Sequence, residues 1–521
     1  MPNNSAEREI IDGLLQDAEG AIAAGAMRKA MAIYSGILMQ EPEHRLALRQ
    51  LGSLAVDLGE YENAIAVLRQ AIALEPTDPD LYHGIGTALR LMGLEEEALA
   101  AWQGALQGDP THAPTLHDSG MLLQKRGDLA RAGEMFQRLA AAHTNHFEAV
   151  FNRAVVLYKQ DNLLAAERWF HQASRLKADD PRPLINLAMI YRVWGFPDRA
   201  IACLEHAIPL DPARPETQWN LANVLLLSGD YAKGFAAYES RFRRAGFTER
   251  SYPMPRWRGE DLNGKTIFLA TEQGLGDVLQ FVRFAKPLAD MGARVIVECL
   301  PGLERMVATA PGVSATAKWK DVPAADYVLP LLSVPHLLGT TLETLPATVP
   351  YLGVPPGTPV PSLESPGFKV GIAWRGNPHH ENDRHRSLPL EILAPLLAVP
   401  GVAWYSLQIG PGEGEPQTSI WSGKLKKLSP LKDFSVTAGI MTELDLVISV
   451  DTAVAHLAGA LGRPIWTLLP RNNDWRWLLE RRDSPWYPTM RLFRQHYPYD
   501  WAPTVASMAK ALAEAVARKR A

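Results

Sequence analysis

Residues 93–110 read GLEEEALAAWQGALQGDP, and this stretch decides the fold of the N-terminal half. A glycine is followed five positions later by a small residue, Ala98, and four positions after that by a large apolar one, Trp102. The same spacing returns every 34 residues, in seven copies from about Ile11 to Gly246. The glycine recurs at Gly25, Gly59, Gly93, Gly127, Gly195 and Gly229, with Asp161 in the remaining position. A fixed period of this length predicts an array of stacked supersecondary units.

The pattern resembles the tetratricopeptide repeat (TPR), a helix–turn–helix unit. The glycine is expected to end the first helix, and the small residue to let two helices approach closely. Such arrays form a superhelix whose concave face suits a bound polypeptide. We therefore predict an all-α TPR superhelix over residues 1–246, with a protein as its partner.

Composition limits the remaining possibilities. The net charge of −4 over 521 residues gives no electrostatic reason to expect nucleic acid as a partner. The N-terminus has no basic and apolar signal region, and no uncharged apolar stretch approaches the ~18 residues of a membrane span. The two cysteines, Cys203 and Cys299, lie in different predicted domains, which argues against a disulfide framework or a zinc site. A cytoplasmic location is expected.

The second half has an α/β pattern. Residues 247–264 are predicted to be a linker, and the proline-rich stretch Val354–Pro366 divides the rest into lobes 265–354 and 355–521. The alternation of strands and helices implies parallel sheets. Predicted strands are Thr266–Ala270, Arg294–Cys299, Tyr327–Leu329, Lys369–Trp374, Val402–Gln408, Leu444–Val450 and Pro464–Leu469, with helices near Leu303–Ala310 and from Pro503. Two such lobes favour a ligand cleft between the carboxyl ends of two sheets.

The first candidate site is the turn Gly274-Leu275-Gly276-Asp277, between a predicted strand and a helix. Glycines there allow a ligand to approach the backbone, and a helix N-terminus favours negative charge. Asp277 has two interpretations. It either complements the helix dipole, or it is a general base that faces the cleft and takes a proton from an acceptor hydroxyl.

The second candidate site is Asp451-Thr452, where a buried strand ends and an alanine-rich helix begins. Thr452 is predicted to cap this helix, whose free amides would bind a pyrophosphate. His456 lies one turn further along the same helical face. It is either a packing residue or a ligand-binding one.

Together these two motifs resemble the bacterial ADP-heptose heptosyltransferase family, which has a Gly-Asp turn in one lobe and Asp-Thr-x-x-x-His in the other. The resemblance covers about Thr266 to Arg494 and implies an inverting, metal-independent glycosyltransferase of the GT-B fold, with two Rossmann-like lobes. It implies that Asp277 is the base, that Gly274, Gly276, Asp451, Thr452 and His456 lie in the donor site, and that a nucleotide-sugar is the co-substrate with no other cofactor. Ala453 stands where the family usually has glycine.

The fusion to TPRs resembles O-GlcNAc transferase-like proteins and bacterial TPR-fused flagellin glycosyltransferases. This second resemblance implies a protein acceptor, with flagellin the first one to name. One fixed place in the seven repeats is occupied in turn by Gln16, Gln50, Gly84, Asp118, Asn152, Asn186 and Asn220. Primary amides at this spacing resemble the asparagine ladder of O-GlcNAc transferase, in which amides pair with a peptide backbone. The acceptor-binding residues would be Asn152, Asn186 and Asn220, although asparagine is also common at this place in ordinary TPRs.

The third candidate site is the loop Trp374–Ser387, whose charged side chains could neutralise a leaving phosphate. The candidates are Arg375, Arg384 and Arg386, and Asn377 of the same loop is a further donor-binding candidate. Heptosyltransferases place a lysine in this loop, so the sequence leaves open which arginine replaces it. The alternative is a solvated loop in which Ser387 caps a helix starting at Leu388. His379 and His380 have no companion ligand cluster, so no metal site is predicted.

A tryptophan-rich segment follows the last predicted strand, with Trp475, Trp477, Trp486 and Tyr487. These rings are either core residues or a surface that stacks on the nucleobase. The leading hypothesis for the chain is a glycosyltransferase that modifies Ser or Thr hydroxyls of a protein held by the repeats. The alternatives are transfer to a saccharide or lipid-linked acceptor, and a non-catalytic TPR scaffold with a degenerate GT-B lobe.

Overall fold

The computed structural model describes residues 4–247, 249–380, 382–428, 431, 433–497 and 500–520. Glu381, in the predicted phosphate-binding loop, lies outside the described residues. The chain forms two compact units, Met1–Leu187 and Ala188–Ala521. The division falls inside the predicted repeat array and not at its end.

The first unit is entirely helical, with the helix pairs that the 34-residue period predicts. Its helices are α1 (Asn4–Ala23), α2 (Met27–Gln40), α3 (Arg45–Asp57), α4 (Tyr61–Leu74), α5 (Pro79–Leu91), α6 (Glu95–Gly108), α7 (Ala113–Lys125), α8 (Leu129–Ala142), α9 (Phe147–Lys159) and α10 (Leu163–Leu176), and α11 (Arg182–Trp194) spans the division. The repeated alanines are fully buried, and Trp102 packs directly against Gly86 of α5. The glycines between paired helices have a left-handed backbone, as at Gly93 with φ of 84°. Asp161 adopts the same conformation, with φ of 58°, so the turn survives without glycine.

The second unit begins with the last repeat helices, α12 (Pro197–Leu210), α13 (Pro215–Ser228) and α14 (Tyr231–Tyr238). Helices α13 and α14 share a hydrophobic core with the sheets that follow, and Trp486 donates a hydrogen bond to the Tyr231 hydroxyl at 2.9 Å. The predicted linker also packs onto this unit, where Trp257 is buried and Arg256 bridges to Val328.

Two parallel sheets complete the second unit, which confirms the predicted α/β module. The first sheet has the order β3-β2-β1-β4, with β1 (Thr266–Ala270), β2 (Arg294–Cys299), β3 (Val313–Lys318) and β4 (Tyr327–Pro330). The second has the order β10-β9-β8-β5-β6-β7, with β5 (Phe368–Ala373), β6 (Val402–Ser406), β7 (Leu425–Lys427), β8 (Leu446–Val450), β9 (Ile465–Leu469) and β10 (Met490–Arg494). Strands β3, β7 and β10 are absent from the sequence-based prediction. Each of them has exposed or half-buried positions, so none forms a continuous apolar run.

Short helices connect the strands. They are α15 (Leu275–Phe281), α16 (Ala285–Asp290), α17 (Glu304–Val307), α18 (Val334–Leu337), α19 (Asp383–Arg386), α20 (Glu415–Thr418), α21 (Phe434–Thr442) and α22 (Ala453–Ala460), and the chain closes with α23 (Ala502–Arg520). No helix among the described residues is long and apolar enough to cross a membrane. Cys203 and Cys299 are both free thiols.

Candidate active site

A cleft of about 620 Å³ opens between the carboxyl ends of strands from both sheets. The turn after β1 of the first sheet lines this cleft, together with the loops after β5, β6, β8 and β9 of the second sheet. Every candidate of the α/β half except Arg384 lines it: Gly274, Gly276, Asp277, Arg375, Asn377, Arg386, Asp451, Thr452 and His456. The structure therefore brings these strand ends to one cleft.

Asp277 lies in the first turn of α15 and is held by two donors. Its Oδ2 accepts a hydrogen bond from the Gly274 amide at 2.9 Å, and its Oδ1 accepts one from Arg476 Nη2 at 2.5 Å. Burial raises the pKa of the Asp277 carboxyl above its usual value, against the opposing effects of Arg476 and the Gly274 amide. A buried carboxylate with a raised pKa is a stronger base than an exposed one.

Arg476 is the cation at the centre of the cleft, and it is not among the residues predicted from the sequence. Its guanidinium donates to Gln280 Oε1 at 2.6 Å and to Asp474 Oδ1 at 2.9 Å, in addition to Asp277. Burial acts to lower the pKa of Arg476, but Asp474 and Asp277 outweigh it and raise the pKa above the usual value. The face of Trp475 lies 4.4 Å from the guanidinium carbon. Arg476 thus links Asp277, which follows β1 of the first sheet, to the loop after β9 of the second sheet.

Gly276 permits close contact between α15 and α22. A Cβ at this position would lie 2.9 Å from His456 Cδ2 and 3.7 Å from Ala453 Cα. At Gly274, by contrast, a Cβ would meet only Asp277 Oδ2, at an ordinary 3.5 Å. The second glycine of the motif therefore serves helix packing across the cleft.

Thr452 occupies the N-cap position of α22, but its side chain makes no capping hydrogen bond, contrary to the prediction. Its hydroxyl pairs instead with the Ser449 hydroxyl at 3.1 Å. Asp451, beside it, is half-buried, with its side chain 14% exposed. Burial raises the pKa of Asp451 to about 6, and the neighbouring Asp474 adds to this effect.

His456 is a packed residue that also lines the cleft. Its ring stacks on Trp477 with centroids 5.3 Å apart, and its Nδ1 is 2.9 Å from the Tyr487 hydroxyl, so it is firmly packed. Its Nε2 is nevertheless 4.0 Å from Asp451 Oδ1, on the wall of the cleft. Burial lowers the pKa of His456 to about 3, and Arg476 acts in the same direction. The imidazole is therefore neutral near pH 7.

The arginines of the loop after β5 divide into three cases. Arg386 Nη1 donates to the Asp451 carbonyl at 2.9 Å and lines the cleft. Arg375 also lines the cleft and is paired through its Nε with Glu415. Arg384 is exposed, donates to His385 at 2.9 Å and does not line the cleft. Of the two arginines of this loop that line the cleft, only Arg386 has a hydrogen bond to the Asp451-Thr452 turn among the described residues.

Ser387 does not cap a helix at Leu388. Its hydroxyl accepts from the Gly376 amide at 2.8 Å and donates to Asp383 Oδ1 at 2.9 Å, which closes the loop. The following helix is a 3₁₀ helix that begins at Leu390.

The tryptophan-rich segment belongs to the core, because its four aromatic residues, Trp475, Trp477, Trp486 and Tyr487, are at most 2% exposed.

The asparagine positions differ in accessibility. In the first unit, Asn152 is only 8% exposed, and the Asn186 amide donates to the Arg182 carbonyl at 2.8 Å. In the second unit, Asn220 is half-buried. Asn152 therefore offers little surface to a peptide, and the proposed ladder is weakest there.

Comparison with known proteins identifies the repeats. A family model described as "TPR repeat" matches residues 52–93, and one described as "Tetratricopeptide repeat" matches residues 117–181 and 186–246. The N-terminal part of the chain consists of TPR repeats.

Protein FlbA of Caulobacter vibrioides is 29% identical over 384 residues. The alignment spans 66% of this chain and 63% of FlbA, which is less than two thirds of that relative's length. The fold of YrrB, "a TPR protein with an unusual peptide-binding site", covers 34% of this chain and 92% of its own, with 20% identity and a TM-score of 0.31. Pseudomonas aeruginosa pilF covers 41% of this chain and 97% of its own, with 20% identity and a TM-score of 0.36.

Proposed function

We propose that this protein is an inverting glycosyltransferase of the GT-B type, which moves a sugar from a nucleotide-sugar to a Ser or Thr hydroxyl of a protein. The observation that carries the proposal is the pairing of Asp277 from one sheet with the Asp451-Thr452 turn of the other, on the walls of one cleft. A base and a phosphate-binding turn on opposite sides of a cleft are what an in-line displacement at a sugar carbon requires.

In the proposed reaction the acceptor hydroxyl oxygen attacks the anomeric carbon of the donor. The new bond joins that oxygen to the carbon, and the bond from the carbon to the phosphate oxygen breaks. The hydroxyl proton passes to Asp277, whose pKa is raised by burial, and the electron pair leaves with the nucleotide phosphate. Arg476 holds the Asp277 carboxylate in a fixed position through the reaction.

The leaving phosphate would meet the N-terminus of α22 and the guanidinium of Arg386. The first amides of a helix have no partner within it, and they favour an anion. The Thr452 side chain does not occupy the first amides of α22, although the Ala455 amide already donates to the Thr452 carbonyl at 3.0 Å. Arg386 is already oriented by its bond to the Asp451 carbonyl and by Asp383.

The TPR repeats would bind the acceptor protein, since concave arrays of this kind bind polypeptides. Flagellin is the acceptor that the resemblance to TPR-fused transferases names first. Within the repeats, the half-buried Asn186 and Asn220 are more accessible to such a peptide than Asn152 is.

The test combines donor binding with transfer. UDP-, GDP-, ADP- and CMP-linked sugars are titrated into the protein by calorimetry, and transfer to flagellin is followed by intact-protein mass spectrometry with the donor that binds. Asp277→Asn should reduce the rate by about 10²-fold or more, because proton removal is lost, while donor affinity stays within about twofold. Asp290→Asn, an exposed carboxylate of the same lobe, is the matched control and should transfer at the parent rate.

Two results would contradict the proposal. One is binding of none of the four donor classes, which would favour a non-catalytic scaffold. The other is an Asp277→Asn variant that turns over normally but has lost donor affinity.

A further inference from the structure

A second pocket, of about 400 Å³, lies at the carboxyl ends of β9 and β10. Its opposite wall is the end of α11 and the turn after it, at Arg192, Val193 and Gly195. It shares no lining residue with the cleft, from which the segment Asn473-Asp474 separates it. No step of the proposed transfer uses it.

Arginine dominates this pocket, which we call the arginine pocket. The lining includes Arg192, Arg471, Arg481, Arg482, Arg491 and Arg494, and its only carboxylate among the described residues is Glu480. Arg481 is paired outside the lining with Asp483 at 2.6 Å. Arg471, Arg482, Arg491 and Arg494 form no ion pair with a carboxylate among the described residues, although the whole chain has a net charge of −4.

Arg494 shows how incompletely this charge is compensated. Its guanidinium donates to the Arg481 carbonyl at 2.8 Å, to Asn473 Oδ1 at 3.0 Å and to the Trp477 carbonyl, all of them neutral acceptors. Burial lowers the pKa of Arg494 to about 10, and the positive charges of Arg481 and Arg471 add to the effect. An anion in the pocket would relieve this repulsion.

Gln495 provides an independent observation. The residue is 4% exposed and lines the pocket, and its Nε2 has no hydrogen-bond partner among the described residues. Its Oε1 accepts from the Arg471 amide at 3.3 Å. A buried amide donor without a partner is costly, and rotation of the Gln495 side chain toward the pocket would let an oxygen of a bound ligand satisfy it.

We infer that the arginine pocket binds an acidic segment of a polypeptide, with carboxylates on its guanidinium groups and an oxygen on the Gln495 amide. Guanidinium groups bind carboxylates by paired hydrogen bonds. A peptide is favoured over a small anion because one wall belongs to a TPR repeat helix, and TPR repeats bind polypeptides. The inference stands whether or not the cleft transfers a sugar.

The test uses fluorescence anisotropy of a labelled eight-residue Glu-Gly peptide with the full chain. The same peptide with Gln for Glu, and one with Lys for Glu, are the ligand controls. Arg482→Gln with Arg491→Gln removes two exposed pocket arginines, neither of which has a carboxylate partner among the described residues. Arg258→Gln with Arg518→Gln removes the same charge from exposed positions outside the pocket.

We expect the acidic peptide to bind, and to bind about tenfold or more weakly when the two pocket arginines are replaced. The control pair should change the affinity by less than about twofold, because both arginines are exposed and neither lines the pocket, so that salt screens their charges. Thermal unfolding of both variants verifies that each remains folded.

Three outcomes would overturn the inference. The first is equal binding of the Glu and Gln peptides. The second is an equal loss of affinity in the two double variants. The third is displacement of the peptide by inorganic pyrophosphate at concentrations well below those of unlabelled peptide, which would make the pocket a small-anion site.

Discussion

Replacement of Arg476 by Met is the perturbation that best tests how the cleft is held together. The Arg476 guanidinium makes hydrogen bonds of 2.5–2.9 Å to Asp277, Gln280 and Asp474, and its side chain is 9% exposed. Methionine fills a similar volume but leaves both carboxylates without their cation. Removal of one partner of a buried ion pair costs about 3–5 kcal/mol.

The lower end of that range applies here. The side chain of Asp277 is 19% exposed and that of Asp474 is 32% exposed, so water relieves part of the cost. We therefore expect Arg476→Met to lower the free energy of unfolding by about 3 kcal/mol. The Arg476→Lys variant keeps the charge but loses the planar fork, and should fall between Met and the parent.

Urea-induced unfolding followed by tryptophan fluorescence is the assay, because Trp475 lies directly against Arg476. The matched control is Lys286→Met, which breaks the ion pair with Asp290, where both side chains are more than half exposed. That pair should contribute less than about 1 kcal/mol. If Arg476→Met lowers the free energy of unfolding by no more than Lys286→Met does, then Arg476 does not stabilise the contact between the two sheets and the prediction is wrong.

Two further predictions concern residues of the same cleft. Gly276→Ala should lower the free energy of unfolding by about 1–2 kcal/mol, because overpacking against the fixed His456 ring outweighs the gain in helix propensity. Gly274→Ala should stay within about 0.5 kcal/mol, and equal costs in calorimetric scans of the two variants would contradict the close contact of α15 and α22. The pKa of Asp451 is about 6 in the folded protein and about 3.9 in the unfolded chain, so the folded state holds this proton more tightly. Ionisation of the Asp451 carboxyl should therefore lower the free energy of unfolding as the pH rises from about 4 to 6. Asp451→Asn should remove this decline, by on the order of 2–3 kcal/mol at pH 7, and a variant with the parent's pH profile in urea unfolding would refute the burial effect.

The strands of the second half were predictable where their sequences are continuous apolar runs. Thr266–Ala270 and Arg294–Cys299 were predicted with the bounds that the structure has. Strands β3, β7 and β10, which lie at sheet edges, were not predicted. A partly exposed strand has polar residues among its apolar ones, so its sequence pattern is ambiguous. Polar residues at strand ends could be assigned to one cleft because parallel strands place their carboxyl ends at the same edge.

Arg476 could not be assigned to the cleft from the sequence. It lies 199 residues from Asp277, and its Asn-Asp-Trp-Arg-Trp context is equally typical of a tryptophan-rich core. The only signal was its place just after the end of β9, next to the Asp451 strand in the sheet. Strand order, which the sequence does not state, brings that loop to the cleft.

The sequence by itself determined the repeat unit, because the turn, the close helix contact and the ring beside it all lie within 34 residues. The one repeat without this glycine keeps the same turn, because Asp161 adopts the left-handed backbone conformation that the position requires. Only the tertiary structure decided where the compact units divide and how the cleft is charged. The last repeat helices join the α/β core through Tyr231 and Trp486, and the pKa values of Asp277, Asp451 and His456 depend on burial beside Arg476. These effects arise from contacts between residues far apart in the chain, and such contacts exist only after the chain has folded.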